Sequence, residues 1–304
     1  MTMNEIYEKL KEKIQIEHIR LQEMMRDHTS FKIGGPADIM VLPTTIEEVQ
    51  HALLVCRENH VPYYVIGNGS NLLVRDKGIR GVVIKIAENF SDIVIDGSRI
   101  KAQAGILLSV LSKKIMRESL EGFEFASGIP GTLGGAVSMN AGAYGGEMKD
   151  VVIGASVLDH NCNVIYLDRE QLAFEYRNSL VQREGFIVLE VDIALQKGDY
   201  ERIKEITADL TVKRTTKQPL HLPSAGSTFK RPPGYFAGKL IEDAGLKGVR
   251  VGDAQVSELH SGFVVNVGNA TAADVIHLIK LIQKVVRDQF EVELHPEVRI
   301  VGEE

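Results

Sequence analysis

The chain has 304 residues, with 35 Lys or Arg against 41 Asp or Glu, a formal net charge of −6 and a pI of about 5.9; this excludes an overall basic nucleic-acid binder. Hydrophobic residues make up 44% and charged residues 25%, which excludes a disordered chain or a coiled coil and gives apolar material for roughly two domains at ~150 residues each. The abnormal number is glycine: of 28, eight (Gly122, Gly128, Gly131, Gly134, Gly135, Gly142, Gly145, Gly146) fall between 122 and 146, and that much backbone freedom in one place needs a reason.

The first fifteen residues, MTMNEIYEKLKEKIQ, alternate acidic and basic side chains without an apolar core. No run anywhere approaches the ~18 apolar residues of a membrane span. Cys56 and Cys162 lie in unlike contexts and form no Cys-x-x-Cys pair, so neither a disulfide framework nor a zinc site is proposed and a reducing compartment fits. The expectation is a soluble, cytoplasmic protein without membrane insertion.

Residues 1–32 read as a helical lead-in. Thr45 and Glu48 have capping-box spacing ahead of a helix over 45–60 whose stripe is Val49, Ala52, Leu53 and Cys56. After Pro62, the runs YYVI, LLV, GVVIKI and IVIDGSRIKA read as strands joined by tight turns, the first ending in Gly67-Asn68-Gly69-Ser70-Asn71. A second amphipathic helix over about 107–119 carries Leu108, Leu111 and Ile115 and leads into the glycine-dense segment. Then VVIGASVL, NVIYL and FIVLEVDIAL restore strand patterns, and a mixed α+β domain extends to about 198.

A helix begins at 200 with Tyr200, Ile203, Ile206 and Leu210 and is expected to dissolve into Lys-Arg-Thr-Thr-Lys-Gln-Pro; the domain boundary falls near 198 to 206. A Pro- and Gly-rich stretch runs to about 250, and a long helix over 272–289 carries Val275, Leu278, Ile279, Ile282 and Val285, with Thr271 and Asp274 as cap pair. The terminal FEVELHPEVRIVG reads as two short strands broken at Pro296, with Glu297 and Arg299 two apart and therefore on one strand face.

Several familiar motifs are excluded. GNGSN lacks the third glycine of a dinucleotide fingerprint, no Gly-Lys-Ser/Thr follows a glycine loop, and no Gly-x-Ser-x-Gly elbow exists. No two of the nine histidines lie three to five residues apart, which removes a helical zinc site. Two glycine loops of another type remain, GNGSN after a strand and SGIPGTLGGAVSMNAGAYGG after a helix. A lone GNGS is as often a tight turn as a binding loop. Two such loops and an Asn-Ala-Gly-Ala in one domain favour a cofactor whose phosphate or ring approaches the main chain. Charge points the same way: residues 212–250 hold eight basic residues (Lys213, Arg214, Lys217, Lys230, Arg231, Lys239, Lys247, Arg250) against Glu242 and Asp243, a net of +6 that leaves −12 on the remainder. That concentration suits an anionic small molecule. Singly, Arg177, Ser227 and Glu297 each read as ordinary loop or edge residues.

Together, Thr29-Ser-Phe-Lys-Ile-Gly-Gly-Pro-Ala37, GNGSN at 67–71, Gly128-Ile-Pro-Gly-Thr-Leu-Gly-Gly-Ala136, Asn140-Ala-Gly-Ala143, Tyr176-Arg-Asn-Ser179, Gly226-Ser-Thr-Phe-Lys230 and Pro296-Glu-Val-Arg299 resemble the UDP-N-acetylenolpyruvoylglucosamine reductase family, in the family's order and over nearly the whole chain. The seven residues between Lys230 and Gly238 place it with the branch lacking a long insertion there, so the tyrosine carried by that insertion does not transfer, and Tyr235 is only a stand-in. The resemblance implies an α+β fold: a two-lobed FAD-binding domain of the vanillyl-alcohol-oxidase (PCMH) type over 33–198 and an α+β substrate-binding domain over 199–304, whose terminal strand, about 291–304, returns to the flavin. It implies bound FAD, NADPH as hydride donor and UDP-N-acetylglucosamine enolpyruvate as substrate, reduced to UDP-N-acetylmuramate for peptidoglycan synthesis, in a monomer or weak homo-oligomer.

The same resemblance implies the site. Gly67, Asn68, Gly69, Ser70, Asn71, Gly128, Pro130, Gly131, Thr132, Gly134, Gly135, Asn140, Ala141 and Gly142 match positions around FAD. Arg177 and Glu297 match partners of the enolate-like charge, Ser227 matches the proton donor, and Lys217, Lys247 and Arg299 match substrate contacts. Replacing Gly131 or Gly134 with valine is expected to cost flavin binding before it costs the fold. A flavin oxidase of the same fold and a non-catalytic flavin or UDP-sugar binding module are the rival readings; Ser227 and the basic 212–250 segment argue against the first, and the joint presence of Arg177, Ser227 and Glu297 against the second.

Overall fold

The computed structural model describes residues 2–304, whose contacts fall into two units. One comprises the chain up to Arg20, Ile39–Asn68 and Val82–Arg214; the other comprises Leu21–Asp38, Gly69–Gly81 and Thr215–Glu304. The chain passes between them inside the strands Ile19–Met24, Pro36–Val41 and Ile79–Lys85, between Asn68 and Gly69, and again inside the helix Tyr200–Lys217.

In the first unit the helix Ile46–Glu58 starts where the capping pattern places it, with the Thr45 hydroxyl accepting from the Glu48 N–H at 3.2 Å. The Glu48 carboxylate turns to the Thr44 N–H and hydroxyl rather than back to Thr45. Its predicted stripe is buried, and burial pushes the Cys56 thiol up to about 12. The helix Leu108–Arg117 likewise buries Leu108, Leu111 and Ile115. A five-stranded antiparallel sheet runs in the order Val164–Asp168, Val152–Leu158, Ile187–Ala194, Arg99–Gln103, Ile93–Asp96. Its alternation brings Ile100, Ala102, Val191 and Ile193 into the core. Tyr63–Ile66 pairs in parallel with the Val82–Lys85 part of its neighbour, which delivers the chain to Gly67.

The second unit holds an antiparallel sheet in the order Ser224–Ser227, Phe263–Asn266, Ala254–Val256, Arg250–Val251. Over it lies the helix Ala272–Phe290, which buries Val275, Leu278, Ile279, Ile282 and Val286. Its start is the predicted one: Thr271 and Asp274 form a reciprocal capping box. The strand Arg299–Val301 pairs in parallel with Leu72–Val74, so residues far apart in sequence share one core with Phe31, Ile33 and Leu73.

Five expectations are corrected. The lead-in over 1–32 is helical only at Met3–Leu10 and in two short 3-10 turns, and Ile19–Met24 within it is a strand. The helix beginning at Tyr200 continues through Lys-Arg-Thr-Thr to Lys217 and stops just before Pro219, whose ring disfavours helical geometry at Gln218. VVIGASVL becomes a strand only at Val152, because Met148–Val151 is a helical turn. The FEVEL segment is no strand: Phe290 ends the helix and Glu291 caps it in a left-handed conformation, φ 57°. Glu297 precedes the final strand, which starts at Arg299, so the two do not share a strand face. Among the described residues no helix is long and apolar enough to cross a membrane.

Candidate active site

In the first unit Gly67 must be glycine because the Thr132 hydroxyl occupies the space a Cβ would need. Thr132 is buried at 3% exposure and caps the short helix Leu133–Ser138 through the Gly135 N–H at 3.4 Å. Most N–H groups of this loop are committed to the fold: Gly131 donates to Ile129, Leu133 to Ile106 and Gly134 to Ala104. A Cβ on Gly134 would lie 2.8 Å from the Ala104 Cβ, whereas one on Gly135 would meet only the Thr132 hydroxyl, at 3.5 Å. Gly134 is therefore required by packing, and the expectation that its replacement costs flavin binding before the fold is corrected on that ground.

The N–H groups of Asn68, Gly128 and Thr132 donate to no group among the described residues. These donors, together with glycines that keep Cβ atoms out of the loops, fit an anionic, close-lying cofactor such as FAD.

Asn140 is almost fully buried and sits at φ 45°. Its amide donates to Glu147 Oε2 at 2.8 Å and to the Glu175 carbonyl at 3.0 Å, and its Oδ1 accepts from the Lys149 N–H at 3.0 Å. Its side chain thus ties the Gly142–Glu147 hairpin to the turn that carries Arg177. Hydrogen bonds from Lys149 and Asn140, and the Arg177 charge, hold the Glu147 carboxyl below the usual carboxylate range. Arg177 stands at φ 53° on the tip of a turn closed by Glu175 and Asn178, which bond each other in both directions. Its guanidinium donates to the Gly142 carbonyl at 3.4 and 3.5 Å and lies 5.6 Å from the centroid of the Tyr176 ring. Ser179, fully buried, anchors the far side of the turn on the Ser138 carbonyl at 2.8 Å.

In the second unit Gly69 stands at φ 62° against the His28 carbonyl, and its own carbonyl accepts from the Ser30 N–H. This joins the Thr29–Pro36 stretch to the GNGSN loop. Asn71 Nδ2 donates to the Glu297 carbonyl at 3.1 Å, and the Asn71 carbonyl accepts from the Arg299 N–H at 3.0 Å. The Glu297 N–H donates to the Thr228 carbonyl at 2.8 Å, which sets Ser227, Thr228 and Glu297 side by side. Ser227 is exposed, opposite Phe263, just after a register irregularity in which Gly226 takes φ 77°. Arg299 is exposed at the start of its strand.

The proposed substrate lysines lie apart from that cluster in their bonding. Lys217 is the exposed last residue of its helix, and Lys247 pairs with Glu242 at 3.1 Å. Next to the cluster, His260 accepts from the Gly262 N–H at 3.1 Å and meets Phe263 edge-on at 5.0 Å, while burial pushes its basicity down. Sequence reasoning gave no role to Thr228 and Ser179, although both lie inside quoted motifs, and passed over Glu147, which holds the Asn140 amide; Thr228 and Ser179 act through backbone carbonyls and N–H groups. It counted Arg214 only as a charge.

An FAD binding domain model matches residues 37–168, and the C-terminal domain model of UDP-N-acetylenolpyruvoylglucosamine reductase matches 218–301. The UDP-N-acetylenolpyruvoylglucosamine reductase of Alkaliphilus oremlandii is 65% identical over 98% of both chains, and that of Clostridioides difficile is 52% identical over the full length of both. The crystal structure of the corresponding reductase from Thermus caldophilus superposes with a TM-score of 0.79 at 37% identity, covering 93% of this chain and 97% of that one. Alkyldihydroxyacetonephosphate synthase, at 16% identity and TM-score 0.51 over 65% of this chain, shares the fold alone. The α+β fold is therefore that of a flavin-dependent oxidoreductase, and with matches of this extent at both ends the chain belongs to the UDP-N-acetylenolpyruvoylglucosamine reductase family.

Proposed function

We propose that the protein is an NADPH-dependent flavoenzyme that reduces UDP-N-acetylglucosamine enolpyruvate to UDP-N-acetylmuramate, a peptidoglycan precursor, in the cytoplasm. Residues 33–198 serve the cofactor and 199–304 the substrate, with about 291–304 returning to the flavin. FAD, when bound, would supply the hydride chemistry that links NADPH to the terminal vinyl carbon of the enolpyruvyl ether. Gly67 to Asn71, Gly128, Pro130, Gly131, Thr132, Gly134, Gly135, Ala141 and Gly142 line the cofactor. The Asn140 side chain supports that lining from behind.

The chain's own groups handle charge and protons. Arg177 faces the substrate carboxylate and offsets the negative charge that spreads into it as the double bond is reduced; stabilisation of this type is worth about 3 kcal/mol per donor. Glu297 acts in its protonated or proton-sharing form, since a bare carboxylate would oppose that charge. Ser227 gives its proton to the carbon bearing the ether oxygen. A serine hydroxyl is a weak acid, and the transfer works because the accepting centre is strongly basic and within hydrogen-bond reach. Lys217, Lys247 and Arg299 attract the carboxylate and the diphosphate.

The observation that carries this reading is the Glu297 N–H to Thr228 carbonyl bond at 2.8 Å, which sets the proposed proton donor beside the proposed acid on a backbone that Asn71 also holds. The test is anaerobic: NADPH should bleach the flavin, and the enolpyruvyl sugar should restore its colour. Ser227→Ala should leave bleaching intact and slow the return. Equal loss of both half-reactions would remove Ser227 from its role, and a wild-type protein that stays bleached would sink the substrate assignment.

A further inference from the structure

The Arg214 side chain lies across Gly128: a Cβ there would come within 2.8 Å of its Cδ and 3.2 Å of Nη1. Its Nε is buried without a hydrogen-bond partner, and among the described residues no carboxylate or carbonyl accepts from its guanidinium. Burial lowers its proton affinity. Arg214 is half-buried, and shutting its Nε off from both water and any acceptor is costly. The glycine beneath it leaves room for a partner that arrives from outside. The Gly128 N–H is likewise without an acceptor, so one loop contact presents two donors of the same demand.

We propose that Arg214 is an anion-binding residue of the FAD site, its guanidinium receiving an anionic oxygen of the bound cofactor across Gly128. The inference rests on the FAD assignment and goes beyond it. The planar fork of arginine suits a delocalised anion that offers two oxygens or an oxygen and a nitrogen. FAD offers that chemistry at its pyrophosphate in either redox state and at its isoalloxazine ring when reduced.

The experiment uses the full chain with Arg214→Gln, Arg214→Lys and Gly128→Ala, and reads the FAD dissociation constant of the oxidised protein and the midpoint potential of the bound flavin. A tenfold or greater weakening of oxidised FAD in Arg214→Gln, with the potential unchanged, supports the assignment and places the anion at the pyrophosphate. Unchanged affinity for oxidised FAD with a lower potential supports it and places the anion on the reduced ring; tenfold selective loss of reduced FAD corresponds to about 30 mV for a two-electron couple. Gly128→Ala, which displaces the Arg214 stem without removing it, should shift the same quantity in the same direction by less. Arg214→Lys should fall between. If Arg214→Gln does not fold by circular dichroism, the other two variants decide. Both quantities within twofold of wild type in every folded variant would overturn the assignment alone, whereas a wild-type chain that takes up no FAD would overturn it together with the FAD site.

Discussion

Gly134 and Gly135 are neighbours in the short helix Leu133–Ser138 and serve opposite ends. Gly134 has no room for a methyl, because Ala104 stands 2.8 Å from where its Cβ would be. Gly135 is exposed, helical and in ordinary contact with Thr132 only. Gly134→Ala should therefore destabilise the flavin-free protein by about 1–3 kcal/mol, the range for overpacking. Gly135→Ala should stabilise it by up to about 1 kcal/mol through helix propensity, while weakening FAD binding if its open face is the cofactor's. Thermal unfolding of the stripped protein and a fluorescence titration with FAD separate the two. An unchanged FAD affinity in Gly135→Ala would move the cofactor off that face. The glycine excess between 122 and 146 was legible as a demand for close approach, but not what approaches each residue. Ala104 at Gly134, Arg214 at Gly128 and the Glu147 stem at Gly142 are long-range neighbours or hairpin partners that no local pattern announces.

At the scale of elements, the helix Ala272–Phe290 shows what local chemistry can settle. Thr271 and Asp274 satisfy two of its first N–H groups reciprocally, and the Asp76 carboxylate accepts from Ala272 at 2.8 Å and Ala273 at 3.1 Å. Thr271→Ala should cost about 1 kcal/mol. Asp76→Ala removes charge-assisted bonds to two orphan donors and should cost more, about 1.5–3 kcal/mol, in urea unfolding followed by circular dichroism. Equal losses would mean that water replaces Asp76. The cap pair was readable because both partners lie within four residues; Asp76 was not, being almost two hundred residues away. The same distinction explains the misread elements. FEVEL does alternate, with Leu294 buried and Glu293 exposed, yet extended alternation makes a strand only when another strand is there to pair with it. Conversely Ala254–Val256 and Phe263–Asn266 are too short for a period to show, and their pairing, not their composition, makes them strands.

For the whole molecule, the +6 of residues 212–250 is the feature most altered by the structure. Lys213 pairs with Asp209, Lys239 with Asp243, Lys247 with Glu242 and Arg250 with Asp253, and the Arg231 guanidinium lies 4.0 Å from the Phe236 ring centroid. Half of the cations are thus met by carboxylates at most five residues away, two of which lie outside the segment itself. A bare count of charge along the chain overstates the field that an incoming anion meets. Screening over a Debye length of about 10 Å at 0.1 M salt still leaves a steering contribution from cations without a local carboxylate. Capture of the anionic enolpyruvyl sugar by the reduced enzyme, followed as flavin reoxidation at limiting substrate, should therefore slow as salt rises from about 0.01 to 0.15 M. At low salt Lys217→Gln should slow capture by roughly two- to tenfold. Lys239→Gln, which leaves Asp243 without its neutralising partner but far from any role in the chemistry, should change it much less. The salt dependence should flatten in Lys217→Gln, and equal effects of the two substitutions would show that net charge, not the placement of Lys217, governs the encounter.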